Sequence, residues 1–399
     1  MTDHGDMTPP LDTLVRGVRI WDGAAWLDAD AVRLGGGRIV EVGRDLHPAR
    51  GERVVDGAGA TALPGLIDAH VHLELDPARG QPPAPDEPRD PEAMAARAAA
   101  MVRAGITTAR DLGGGTFAEL TLRDRIAAGE IPGPRLLCAG QPVTCPGGHC
   151  HFWGGEAADL AAAGAVIERQ VARGVDLIKV MATGGMFTRG SRPAGAQFDL
   201  DTLTGIVAEA GRHGLAVAAH CHGTEGIEFS ARAGVRTIEH CSWMGPEGWA
   251  TDYQDAVARL ILAHGVWVSP TVNRGWQRYL DDPNPAKLQR IRGAFQAMRA
   301  LGIPFAASTD AGIPGVYHHH LPEALAVFQR ILDGSAEEVL TAATSGAAQA
   351  LGLGADTGRL QRGWRADLLL VDGDPLQDLA ALTRQVAVWA GGRAVTPAT

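Results

Sequence analysis

VDLIKVMA at 175–182 is followed, after a Gly-rich loop, by LDTLTGIVAEAGRHG at 200–214 and LAVAAHCH at 215–222. Two short apolar runs around an amphipathic segment make a strand–helix–strand unit, the building block of a parallel α/β fold. Working outward, the same alternation recurs between residues 64 and 350. Candidate strands are GLIDAHVH (65–72), ITTARDL (106–112), RLLCAG (135–140), VRTIEH (235–240), VWVSPT (266–271) and PFAASTD (304–310). Helix-like segments such as PEAMAARAAAMVRA (91–104), DLAAAGAVIERQVARG (159–174) and NPAKLQRIRGAFQAMRALG (284–302) lie between them. Eight such units predict an α/β fold of the (β/α)8 TIM-barrel type, with a doubly wound open sheet as the structural rival. Polar residues at the C-terminal ends of the strands favour the barrel.

Both ends of the chain read differently. LVRGVRIWDG (14–23), AVRLGGGRIVEVG (31–43) and RVVDGAGATAL (53–63) are short strands with Gly and Asp turns, and GRLQRGWRADLLLVDGD (358–374) and VAVWAGGRAV (386–395) return to that style. The expected division is a small β-sandwich from residues 1–62 plus 352–399, and a barrel over 63–351. The Pro-rich run at 81–91 reads as a loop after the first barrel strand.

At 399 residues, 45% hydrophobic and 21% charged, the chain can bury a large core. A formal charge of −10 argues against nucleic acid or anionic membrane as a partner. The start MTDHGDMTPP lacks the basic-then-apolar pattern of a secretory signal, and no apolar run is long enough to span a bilayer. Five scattered cysteines fit reduced thiols and a cytoplasmic location.

In a barrel of this kind the chemistry sits at the C-terminal strand ends. His70 and His72 are two apart on the first strand, so both point to one side. Lys179 lies in the fourth strand, His220 closes the fifth, His240 the sixth and Asp310 the eighth. Taken singly, each has an ordinary structural reading: a core histidine, a snorkelling lysine, a turn aspartate. Together, imidazoles and a carboxylate at successive strand ends form a donor set for divalent ions, most simply zinc. A lysine facing cations must be neutral or modified. A neutral amine can add CO2, and the carbamate is an anionic ligand able to bridge two metals that share an activated hydroxide.

The runs LPGLIDAHVHL (63–73), DLIKVMATGG (176–185), AHCHGTEGI (219–227), TIEHCSW (237–243) and STDAG (308–312) resemble the amidohydrolase superfamily. GRLQRGWRADLLLVDGDPLQDL (358–379) is similar to the segment that completes its β-sandwich. The strand-four lysine and the step from His220 to His240 are similar to the prolidase-like branch of dipeptidases, carboxypeptidases and an ochratoxin amidase. The resemblance implies two divalent ions. His70, His72 and Asp310 would hold one, His220 and His240 the other, with carbamylated Lys179 as bridge. Asp310 would be the catalytic proton carrier, and the enzyme a homo-oligomer.

Further residues are candidates for the substrate pocket. His222 shares strand parity with His220, as a pocket residue or an alternative ligand. His149 and His151 lie in CPGGHCHFWGG (145–155), read as an active-site loop in preference to a structural zinc site. Arg189 and Arg192 follow strand four and could grip a substrate carboxylate. Tyr317 precedes the triple His318, His319 and His320 after strand eight, a pocket border or an exposed loop. Asp68 and Asp111 are expected to orient a ligand histidine or to serve the backbone.

The leading expectation is a binuclear amidohydrolase cleaving a C–N amide bond in a dipeptide or N-acyl amino acid. A mononuclear deaminase or imidazolonepropionase-like enzyme is the alternative. The strand-four lysine argues against it, as does Gly223 where deaminases place a glutamate. Aryl-urea, carbamate and lactone hydrolysis are further options, and a non-catalytic scaffold is a third class, one that usually loses metal ligands.

Overall fold

The computed structural model describes residues 12–84 and 87–396; residues 1–11, the tip of the Pro-rich run and the last three residues lie outside that range. Seven parallel strands carry the middle of the chain. They are β1 (Leu66–Val71), β2 (Ile106–Asp111), β3 (Arg135–Cys138), β4 (Ile178–Met181), β5 (Val217–Gly223), β6 (Thr237–Met244) and β7 (Trp267–Ser269). Strands β1-β2-β3 form one parallel sheet and β4-β5-β6-β7 another. All but β3 and β7 are buried at every position, which is why they read as apolar runs and not as alternating ones.

Backbone hydrogen bonds link the two sheets at both seams. Between β3 and β4, Val143 donates to Lys179 O and accepts from Met181 N, each at 2.8 Å. At the other seam lies the eighth segment, 304–310, expected as a strand. It forms only isolated parallel bridges, Phe305 with Val268 and, just beyond it, Ala311 with Val71. The ladder is interrupted for a physical reason. Ile67 N and Ala307 N donate to the carbonyls of Ala343 and Ala342, and the Asp68 carboxylate takes the amides of His70 and Thr309 and the Thr309 hydroxyl. A side chain and a helix end thus satisfy groups that a regular ladder would pair.

Helices alternate with these strands and begin where short side chains cap them. Asp90, Asp159 and Asp199 accept from first-turn amides of the helices Pro91–Arg103, Leu160–Arg173 and Leu200–Arg212. The last two show strongly one-sided burial, with Val166 and Ile167, or Leu203 and Ile206, turned to the strands.

Two antiparallel-rich sheets complete the chain. One holds Thr13–Arg16, Ala31–Gly35, Arg38–Gly43 and Arg53–Asp56. The other is built from both chain ends, in the order Arg393–Val395, Gln385–Ala390, Leu368–Val371, Thr61–Pro64 and Arg19–Ile20. One apolar cluster takes Val15, Val32, Leu34 and Ile39 from the first sheet and Ile20, Ala62, Leu368, Leu370 and Trp389 from the second. Among the described residues, no helix is long and apolar enough to cross a membrane.

Candidate metal centre

The strand ends converge as the sequence predicts. His70 Nε2 and His72 Nε2 face each other at 3.3 Å, and Asp310 Oδ1 lies 3.3 Å from each. A second group, His220, His222 and His240, brings one nitrogen from each of three imidazoles within 4.8 Å of one another. The rings of His70 and His240 are 5.2 Å apart, so the two groups adjoin. Four of the five imidazoles are held through Nδ1, and His220 meets the Gly184 carbonyl through Nε2 at 3.1 Å. His70 Nδ1 meets Glu239 Oε2 at 2.9 Å, His72 Nδ1 the Gly113 carbonyl at 2.7 Å, His222 Nδ1 Ser242 Oγ at 2.8 Å and His240 Nδ1 Thr271 Oγ1 at 2.9 Å. Outer partners of this kind fix tautomer and ring direction in metal sites.

Lys179 is 1% exposed and its Nζ has no hydrogen-bond partner. Burial lowers its pKa to about 8. Burial also pushes His70 and His222 down to about 4 and holds His220 and His240 well below the usual imidazole value. Burial alone would raise the Asp310 carboxyl, yet the histidines around it hold it well below the carboxylate range. At His72 burial pushes the same way, but the Asp310 carboxylate outweighs it and raises the pKa. The centre is therefore five imidazoles, four of them held neutral by burial, and one carboxylate, beside an amine without a partner. That donor set fits divalent cations, whose charge it lacks.

Backbone strain gathers here. His240 and Asp310 adopt left-handed φ of 67° and 60°, and Thr271, which holds His240, has φ 54°. Non-glycine residues in this region cluster at functional sites.

The other sequence candidates divide. His149 is buried, with its ring 4.6 Å from His220, Nδ1 unpartnered, and its pKa lowered to about 3 by burial. Gly185 makes room for it, since a Cβ there would meet the His149 ring at 2.3 Å. His151 sits half-buried on a short turn, its ring on Phe152 and not on the centre. Arg189 and Arg192 are exposed, and among the described residues neither pairs with a site residue. Tyr317 is 40% exposed and contacts His319 and His320. His318 is no exposed loop residue: it is buried, with Nε2 3.0 Å from the His72 carbonyl. Cys145 to His151 forms no metal-ligand cluster among the described residues.

At Asp68 and Asp111 the structural alternative holds. Neither Asp68 nor Asp111 touches a histidine ring. Asp68 holds the seam beside the eighth segment, and Asp111 accepts from Leu73 N and Gly113 N, securing the loop whose carbonyl takes His72. The carboxylate that does hold a ligand ring is Glu239, which no sequence pattern singles out. It accepts from Arg110 Nη2 at 2.7 Å, so a fully buried ion pair lies directly beneath the centre.

Comparison with known proteins gives the family. The ochratoxinase of Aspergillus niger is 28% identical over 375 residues, covering 83% of this chain and 75% of that one. The imidazolonepropionase of Salinispora arenicola is 25% identical over 365 residues, covering 86% and 85%. A solved Xaa-Pro dipeptidase with bound methionine in its active site superposes with TM-score 0.82 at 25% identity, over 96% of this chain and 99% of that one. Residues 61–395 match the amidohydrolase family. With that match spanning most of its length, the chain belongs to the amidohydrolase family, enzymes that are generally metal-dependent.

Proposed function

We propose that this enzyme hydrolyses a C–N amide bond in a small substrate, a dipeptide or N-acyl amino acid, at a centre for two divalent ions. The observation that carries the reading is the pair of three-ligand groups, His70–His72–Asp310 and His220–His222–His240, beside the buried, unpartnered Lys179 Nζ. The reading includes a closed (β/α)8 barrel over 63–351, supported by the hydrogen bonds at both seams, and a β-sandwich from 1–62 plus 352–399, supported by the shared apolar cluster. Zinc suits the imidazole-rich donors. A Lys179 carbamate would add the anionic charge that two cations require, and an amine with pKa near 8 is ready to react with CO2.

Bound divalent ions supply Lewis acidity, lowering the pKa of water towards neutrality and polarising the scissile carbonyl. The chain's own residues do the rest. Asp310, kept ionised by its histidine neighbours, accepts the proton of the attacking water and passes it to the amine as the C–N bond breaks. His222 is the extra imidazole of the second group, as pocket residue or third ligand. His149, with its free Nδ1, is the best placed hydrogen-bond partner for the substrate. Arg189, His151 and Tyr317 remain proposals for the outer pocket, reached only if a substrate extends to them. A cytoplasmic homo-oligomer completes the reading, supported for location by the five free cysteines.

The test is metal analysis of purified active protein together with a turnover screen of N-acyl amino acids and dipeptides. Two ions per chain and amide cleavage are expected. One ion per chain would favour the mononuclear alternative, and none would remove both.

A further inference from the structure

Aromatic side chains from four separate loops stand around the centre. On one side Trp249 lies 5.4 Å from the His222 ring, Trp276 lies 5.8 Å from Trp249, and Tyr279 lies 5.6 Å from Trp276. On the other, Trp153 lies 5.5 Å from His72 and 5.5 Å from Phe152, which meets Phe187 at 6.4 Å. Near-perpendicular and tilted contacts at these separations are the favoured geometries of aromatic pairs.

The Trp249 wall is fixed by the same bonds that orient the ligands. Its loop turns back at Gly245 and Gly248, and Ala250 N donates to the carbonyl of Ser242, whose hydroxyl holds His222. Ala250 itself takes a left-handed φ of 55°, so the fold sustains local strain where Trp249 is presented. The second layer, Trp276, follows Thr271, which holds His240, and Asn273, which donates to the Thr309 carbonyl beside Asp310. Trp249 is only partly buried, so a face is left for another group to cover. A rigid ring set beside a histidine of the centre selects flat, polarisable partners over saturated ones of equal bulk.

We propose that Trp249, backed by Trp276 and Tyr279, is a specificity-determining wall, and that the substrate sets an aromatic ring against it next to the scissile amide. This rests on the amide-hydrolase reading and narrows its substrate class. Trp249 touches substrate in this account but neither holds metal nor moves a proton.

Two pairs of amides differing only in ring saturation test it: N-benzoylglycine against N-(cyclohexanecarbonyl)glycine, and N-acetylphenylalanine against N-acetylcyclohexylalanine. Binding is read by calorimetric titration of the zinc-loaded Asp310→Asn protein, and turnover separately in the unaltered enzyme. The aromatic member of at least one pair should bind about threefold to tenfold more tightly. Adding Trp249→Leu should erase that difference, and Trp249→Phe should keep most of it, with zinc content unchanged in both. Equal binding within both pairs, or a preference that survives Trp249→Leu, overturns the inference. Absence of turnover with aromatic preference in binding would instead count against amide hydrolysis and leave the wall standing.

Discussion

Glu239 Oε2 lies 2.9 Å from His70 Nδ1, and the same carboxylate is anchored on its far side by Arg110. A carboxylate in this position raises the basicity of the ligating nitrogen and fixes its direction. Glu239→Gln should therefore weaken metal binding by about 10- to 100-fold while the protein stays folded. Competition titration with a zinc indicator measures it, and unchanged affinity would reduce Glu239 to a structural anchor.

Arg110 should behave differently. Burial opposes a charged Glu239, and Arg110 is the main group holding its pKa down. Arg110→Met strands that charge, with an expected loss of about 3–5 kcal/mol in unfolding free energy. Denaturant melts of the metal-free variant would show it, and a loss below about 1 kcal/mol would mean that the pair is dispensable.

Lys179→Ala should remove both activity and metal, with partial recovery when short carboxylic acids are added to stand in for a carbamate. Full activity in this variant would eliminate the lysine as a ligand. A high-resolution density map of the unaltered protein reads the modification directly.

Asp310→Asn should retain much of the metal and lose turnover, since the amide keeps an oxygen donor but cannot cycle a proton at neutral pH. Parallel elemental analysis and rate measurement separate the two effects. A near-normal rate would move proton transfer to another group.

Asp68→Ala should destabilise the fold by about 1–3 kcal/mol for each buried donor it leaves unpaired. The donors are His70 N, Thr309 N and the Thr309 hydroxyl. Thermal unfolding of the metal-free protein is the suitable readout, because it isolates the seam from the ions.

The sequence carried much of this centre because strand-end polarity is a one-dimensional pattern. His70, His72, His220, His240 and Asp310 stand at or near the ends of apolar runs and Lys179 within one, and the structure gathers them. Glu239 escaped because alternation assumes regular strand geometry. The left-handed φ at His240 breaks it, and consecutive residues both reach His70. Asp68 carried two readings, ring partner or structural anchor, and its hydrogen bonds to backbone amides and one hydroxyl across the seam select the second. The irregular eighth segment was equally invisible, since the carbonyls of Ala342 and Ala343 that interrupt it come from a distant helix end. Loop-borne features, including His149 over Gly185 and the tryptophan walls, depend on turns whose course no local pattern specifies.

The sheet assembled from both chain ends has a consequence for biogenesis. Thr61–Pro64 pairs in parallel with Arg19–Ile20 but finds its other neighbour, Leu368–Val371, about 300 residues downstream. On the ribosome that apolar edge must wait uncovered until the distant partner strand has been made. Nascent chains of this enzyme should thus engage chaperones early.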